Sequence, residues 1–297
     1  MGRTEAKLGI VGAGVVGQGM AKLFGPDAVI YDTKPGFCQD KGTVNGCSCV
    51  FVCVPTPPRA DGACDTSAVE EVVGWVESPL VVIRSTIPPG TTDRLAKETG
   101  KRIVIQPEYL GETPRHPYRH VEDHGFIVLG GDPRDTSAVA DIYKRYFNAS
   151  VRYFLCDART AELAKYMENA FFATKVAFVN EFYDIAEKLG VSFNQLREVW
   201  LADGRINPDH TDVYPKDRGF SGKCLPKDLS AIIALEPIRI TLDLPMSLTG
   251  TRKSRQEIRD ESEGIVPGVG RVVGQDSTVA APACEHASLR GRVSAGR

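Results

Sequence analysis

The stretch KLGIVGAGVVGQGMAKLF, residues 7–24, decides the fold. It opens with four residues of strand character, Leu8 to Val11, passes through glycines at 12, 14 and 17, and continues with Val15, Val16, Met20 and Leu23 at helical spacing. Strand, glycine turn and helix in that order match the first βα unit of a dinucleotide-binding sheet. Gly12 permits the tight turn, Gly14 lets a pyrophosphate approach the amides at the helix start, and Gly17 lets helix and strand pack closely. A second apolar run, residues 28–31, ends at Asp32. A carboxylate there accepts hydrogen bonds from the adenosine ribose hydroxyls and repels a 2′-phosphate, so the expected cofactor is NAD rather than NADP.

Working outward, residues 50–54, 80–84, 102–105 and 126–129 read as further strands, with helical stretches such as 66–76 and 92–99 between them. Six strands separated by helices or loops imply an α/β fold, a Rossmann-type doubly wound and mostly parallel sheet over residues 1–155. The texture changes at Thr160, where apolar residues keep helical spacing until Gly190, a helix-stop signal. A second helix starts at Phe193, capped by Ser192 or Asn194. Residues 156–235 therefore read as an all-helical domain, and a helix so rich in aromatics over 160–190 is expected to bury itself in a homodimer. Every Phe, Trp and Tyr lies at or before Phe220, and residues 236–297 read as a low-complexity, disordered tail.

The composition narrows the function classes. The chain has 297 residues, 42% hydrophobic and 25% charged, with a net charge of −2. That is the profile of a soluble two-domain protein with no electrostatic case for nucleic acid. No apolar run of membrane-spanning length and no secretory pattern occur, so no membrane partner and a cytoplasmic location are expected. Of eight cysteines, Cys47, Cys49 and Cys53 sit in CSCVFVCV, which reads as a buried strand rather than a metal site. His116, His120 and His124 are four apart, but Pro114, Pro117 and Gly125 argue for a surface loop, and no metal is expected.

Three further motifs carry chemistry. Loops at 85–90 and 107–112 begin where strands end, the ligand-binding edge of an open parallel sheet. The second holds Glu108 and Glu112, which fit acid/base groups and loop solvation equally well. Lys165 and Asn169 share one helix face and point an amine and an amide at one place. Residues 219–228, GFSGKCLPKD, set Cys224 just before a helix begun by Pro226. There the helix dipole and Lys223 or Lys227 would favour a thiolate.

In this order GAGVVG, the Val-Pro-Thr-Pro of 54–57, STIPPGTT, PEYLGE, the helix of 162–181 and GFSGKCLPKD resemble the UDP-glucose/GDP-mannose dehydrogenase family, from Lys7 to Ala234. The resemblance implies an NAD site of Gly12, Gly14, Val15, Val16, Gly17, Asp32, Pro55, Thr56, Ser85 and Thr86. It implies a nucleotide-sugar substrate, UDP-glucose foremost, held by Glu108, Tyr109, Leu110, Lys165, Asn169, Arg205, Phe220 and Gly222. The family oxidises the sugar C6 alcohol twice with two NAD through a thiol-bound intermediate. Carried over, Cys224 is the nucleophile, and Thr86, Lys165 and Asp228 hold the water that takes the proton. Lys165 and Asn169 steady the oxyanion, and Glu112 or Glu108 serves as base for thioester hydrolysis.

Two other functions remain open: a one-step β-hydroxyacid-type dehydrogenase using Lys165, and a non-catalytic NAD-binding or dimerisation remnant. The chain departs from the family pattern in three places. Ser221 replaces a glycine, Gly111 replaces a larger residue and would loosen the loop, and the tail resembles no C-terminal nucleotide-binding domain.

Overall fold

The structure is a computed structural model, and it describes residues 7–111, 116–220, 222 and 224–235. The expected tail, 236–297, with Glu112, Ser221 and Lys223, lies outside the described residues.

Seven strands form one sheet in the order β2-β1-β3-β4-β5-β6-β7: β1 Leu8–Val11, β2 Ala28–Tyr31, β3 Cys49–Val52, β4 Val81–Ile83, β5 Ile103–Ile105, β6 Phe126–Gly130 and β7 Arg152–Cys156. Neighbours run parallel except β5 and β6, which meet antiparallel through Ile105 and Gly130. The expected count of six strands is thus one short. β7 escapes the sequence pattern because it is an edge strand whose residues are mostly exposed, so it lacks a regular buried face.

The helices are α1 Val15–Phe24, α2 Lys41–Asn45, α3 Ser67–Trp75, α4 Thr91–Thr99, α5 Pro133–Tyr143, α6 Ala158–Leu189, α7 Phe193–Leu201 and α8 Cys224–Leu235. They wind the sheet on both sides. On one face Val69, Val72 and Val73 of α3, Leu95 of α4 and Ala158 and Ala161 of α6 pack on Val50, Val52, Val81 and Ile83. On the other, Met20 and Phe24 of α1 and Val139 and Tyr143 of α5 pack on Ile10, Phe51, Val82 and Val104. Each large apolar side chain so buried contributes about 1.5–3 kcal/mol before entropy is counted.

β1 has β2 on one side and β3 on the other, so the strand order reverses there, and the crevice at the carboxyl ends of β1 and β3 faces a ligand. α6 begins on the Asp157 carboxylate, which accepts from the Thr160 N–H, and ends at Gly190 with φ 67°. Its length, 32 residues, carries it past the sheet to pack against α7 and α8. Helix α7 begins after Ser192, as the sequence reading allowed. Among the described residues, no helix is long and apolar enough to cross a membrane.

Candidate active site

The glycine turn lies at the strand-order reversal. Gly12 has φ 102°, and a Cβ there would stand 2.5 Å from the Cys53 carbonyl oxygen at the end of β3. A Cβ on Gly17 would run into the Gly12 carbonyl, so α1 presses directly on the strand end. Around Gly14 there is open space, and α1 starts there with neither a side-chain cap nor an acidic residue in its first turn. The first amides are therefore left for an anionic ligand. Val15 is exposed and Val16 half-buried beside them.

Asp32 follows β2 and accepts from Ala13 N–H at 2.7 Å and Lys34 N–H at 2.9 Å. These donors hold its carboxyl below the ordinary range, so the group is an anion that also fixes the glycine turn. Residues and geometry fit the adenosine half of a dinucleotide.

Of the other residues expected at the cofactor, Pro55 is exposed, while Ser85 and Thr56 have their hydroxyls engaged. Ser85 Oγ donates to the Val54 carbonyl at 2.6 Å and Thr56 Oγ1 to the Thr86 carbonyl at 2.9 Å. They stitch the β3 and β4 loops together and so shape the crevice beside the expected cofactor. Thr86 itself is half-buried at the carboxyl end of β4.

Several of the residues expected to be catalytic lie where α8 packs on α6. Asp228, 2% exposed, accepts from Asn169 Nδ2 at 2.5 Å and pairs with Lys227. Lys165, one turn before Asn169, has its ammonium 2.8 Å from Glu168 and 4.6 Å from the centre of the Tyr109 ring. Its side chain is only 12% exposed. The Asn169 amide meets the Asp228 carboxylate, and the Lys165 amine, one turn earlier on α6, lies against Tyr109 of the PEYLG loop. Cys224 is exposed as the first residue of α8, inside the helix rather than before it, and Pro226 lies within the first turn. The other described cysteines near the sheet are different. Burial raises the Cys53 thiol to about 12 and pushes Cys49 further still, so both remain protonated packing groups.

Glu108 is anchored. Its Oε1 accepts from Tyr109 and Leu110 N–H, both at 2.7 Å, and its Oε2 pairs with the buried Arg84. Both its oxygens are engaged, so it anchors the loop. Leu110 packs into the core, and the ring of Phe220, 7% exposed, packs between α6 and α8 on Ala173 and Leu229. Leu110 is half-buried and Phe220 buried. Gly222 has φ 93° and open space around it. Arg205 points its 89% exposed side chain at solvent and pairs with Asp203.

Two features were not anticipated. Glu162 of α6 accepts from Gly90 N–H at 2.6 Å and from the N–H and hydroxyl of Thr92 at 2.9 and 2.6 Å, binding the STIPPG loop to the long helix. Its place in the helical pattern gave no sign of partners some seventy residues away. The second is Gly111. A methyl group there would fall inside the imidazole of His116, and its N–H donates to the Tyr118 carbonyl at 3.0 Å. The glycine expected to loosen this loop instead admits a histidine. Among the described residues no group of three or more His, Cys, Asp and Glu is placed to hold a metal.

Sheet order, glycine turn and the carboxylate at the end of β2 define a dinucleotide-binding α/β protein. Sequence models of the UDP-glucose/GDP-mannose dehydrogenase family match it twice, the NAD binding domain at residues 33–147 and the central domain at 159–248, and the chain belongs to that family. Its cofactor is NAD.

UDP-glucose 6-dehydrogenase of Rickettsia typhi is 32% identical over 221 residues, 69% of this chain and 49% of that protein. The UDP-glucose dehydrogenase structure from Pyrobaculum islandicum matches with a TM-score of 0.70 and 28% identity, covering 83% of this chain and 68% of that one. A UDP-D-ManNAc dehydrogenase structure from Pyrococcus horikoshii matches with a TM-score of 0.70 and 25% identity, covering 81% and 68%. The chain spans about half the length of the curated relatives it matches.

Proposed function

We propose that the chain oxidises the C6 alcohol of a nucleotide sugar, UDP-glucose foremost, to the carboxylate in two NAD-dependent steps. The observation that supports this most is the meeting of α6 and α8. Lys165 and Asn169 on one helix face a second helix whose first residue is Cys224 and whose buried Asp228 bonds to Asn169. A single oxidation needs only a base and an oxyanion partner. A thiol one helical turn before Asp228 suits the second oxidation, because an aldehyde must first gain a nucleophile before it can lose another hydride.

NAD, when bound, accepts the hydride of each oxidation. In the first, the hydroxyl proton passes to a water held by Thr86, Lys165 and Asp228. The Cys224 thiolate then adds to the aldehyde carbon, forming a C–S bond while Lys165 and Asn169 donate to the resulting oxyanion. Loss of the second hydride leaves a thioester. Water breaks its C–S bond, releasing carboxylate and thiol. The balance is one water consumed, two hydrides and three protons released.

We also infer that two copies associate through α6. Leu163, Met167, Phe171, Phe178, Phe182, Ile185 and Leu189 expose a continuous apolar stripe along it, with Met167 74% and Phe171 59% exposed. A stripe of this length is unusual on a lone soluble surface.

The test is stoichiometry. Purified chain with UDP-glucose and NAD should form about two NADH per uronic acid released. One NADH per product points to the one-step reaction. No NADH from UDP-glucose, UDP-N-acetylmannosamine or GDP-mannose, with NAD still bound, refutes the reading.

A further inference from the structure

Behind the active-site loops lies a buried cluster that the proposed chemistry does not use. Arg84 follows β4 immediately before Ser85 and Thr86. Its side chain, 2% exposed, donates through Nη1 to the Gln106 and Pro107 carbonyls, each at 3.4 Å, and pairs through Nη2 with Glu108. It therefore clamps the loop after β5 to the loop after β4. Its Nε–H is buried with no partner among the described protein atoms. So is Nε2 of His124, the residue that closes the turn before β6.

The two orphans are complementary. His124 Nδ1 lies 2.8 Å from the Val121 carbonyl, which can only accept, so Nδ1 carries the proton and Nε2 presents a lone pair. Arg84 and His124 line one small cavity with Gln106, Pro107, Tyr109, Val121, Phe126, Ile127 and Val128, and its water-accessible volume is about 10 Å³. That is room for a single water, and a water accepting from Arg84 Nε–H and donating to His124 Nε2 satisfies both groups at once. Leaving either unpaired would cost about 1–3 kcal/mol.

We propose that Arg84, Glu108 and His124 form a positioning cluster, completed by one bound water between Arg84 and His124, that fixes the β4 and β5 loops and thereby sets the ammonium of Lys165. The last link is Tyr109, whose N–H is held by Glu108, whose ring meets His124 edge-on at 6.4 Å, and whose face carries Lys165. The charged groups acting on His124 are Glu108, Arg84 and Asp123, and Tyr118 stacks on it at 4.7 Å. Burial depresses its basicity, which keeps the neutral, accepting form. A protonated His124 has no lone pair for the water and would place a second cation beside Arg84.

The kinetic arm of the test rests on the proposed reaction, whereas the spectroscopic arm does not. In ¹⁵N-histidine NMR of the full chain, His124 should show the Nδ1–H tautomer with a hydrogen-bonded Nε2 and stay neutral to below about pH 6.5, the value of an unperturbed histidine. An Nε2–H tautomer overturns the proposal. In turnover, His124→Phe should lower kcat by about tenfold while leaving the KM for NAD within about twofold, and His124→Gln, which restores an acceptor, should recover most of the loss. Wild-type kcat in His124→Phe overturns it. Should the unmodified chain turn over no nucleotide sugar, the catalytic reading fails, and the tautomer alone decides the cluster.

Discussion

At the scale of single residues, Cys224 and Asp32 separate chemistry from binding. Cys224 is the exposed first residue of α8, and the proposed reaction makes it the nucleophile. Under the proposed reaction Cys224→Ala should give no detectable uronic acid by chromatography while NAD affinity stays within about twofold, because the thiol acts only once the aldehyde exists. Asp32→Ala should do the reverse, weakening NAD binding in calorimetry by about tenfold, since it removes the ribose acceptor and the partner of Ala13 N–H. The glycines and Asp32 were legible because each does its work within a few residues of a strand end. Glu108 was only half legible. Its position was plain, but spacing alone could not distinguish a base from an anchor, since the deciding partner, Arg84, belongs to another strand.

At the scale of elements, the long helix and its stop at Gly190 followed directly from periodicity, whereas its grip on the sheet did not. Glu162 joins α6 to the start of α4 through three donors. Glu162→Ala would leave buried N–H groups unpaired, and urea unfolding should show a loss of about 2–3 kcal/mol. Burial is the largest influence on this carboxyl and raises it, against the lowering by Thr92 and Gly90. The native state therefore holds the proton more tightly than the unfolded chain. Stability from this group falls as pH rises from the unfolded value of 4.5 to the higher native one, and levels off above it. In urea midpoints followed across that interval, Glu162→Gln should abolish this component of the slope. β7 was the element lost to sequence reading, because an edge strand with mostly exposed residues has no alternation to detect.

At the scale of the whole molecule, the proposed dimer puts the exposed apolar stripe of α6 to use. The stripe was legible as excess hydrophobicity on a helix, and its exposure shows that the chain's own described residues leave it uncovered. Met167→Asp with Phe171→Asp, at two of the most exposed positions of the stripe, should halve the mass measured by light scattering. A wild-type chain that is monomeric at micromolar concentration would rule the dimer out.

The Gly111–His116 contact has a consequence of another kind. Because the imidazole occupies the volume that any Cβ at 111 would need, the two positions are a single heritable choice. A side chain at 111 requires the His116 ring to move or to be replaced by a smaller group, so substitutions at the two positions should be coupled.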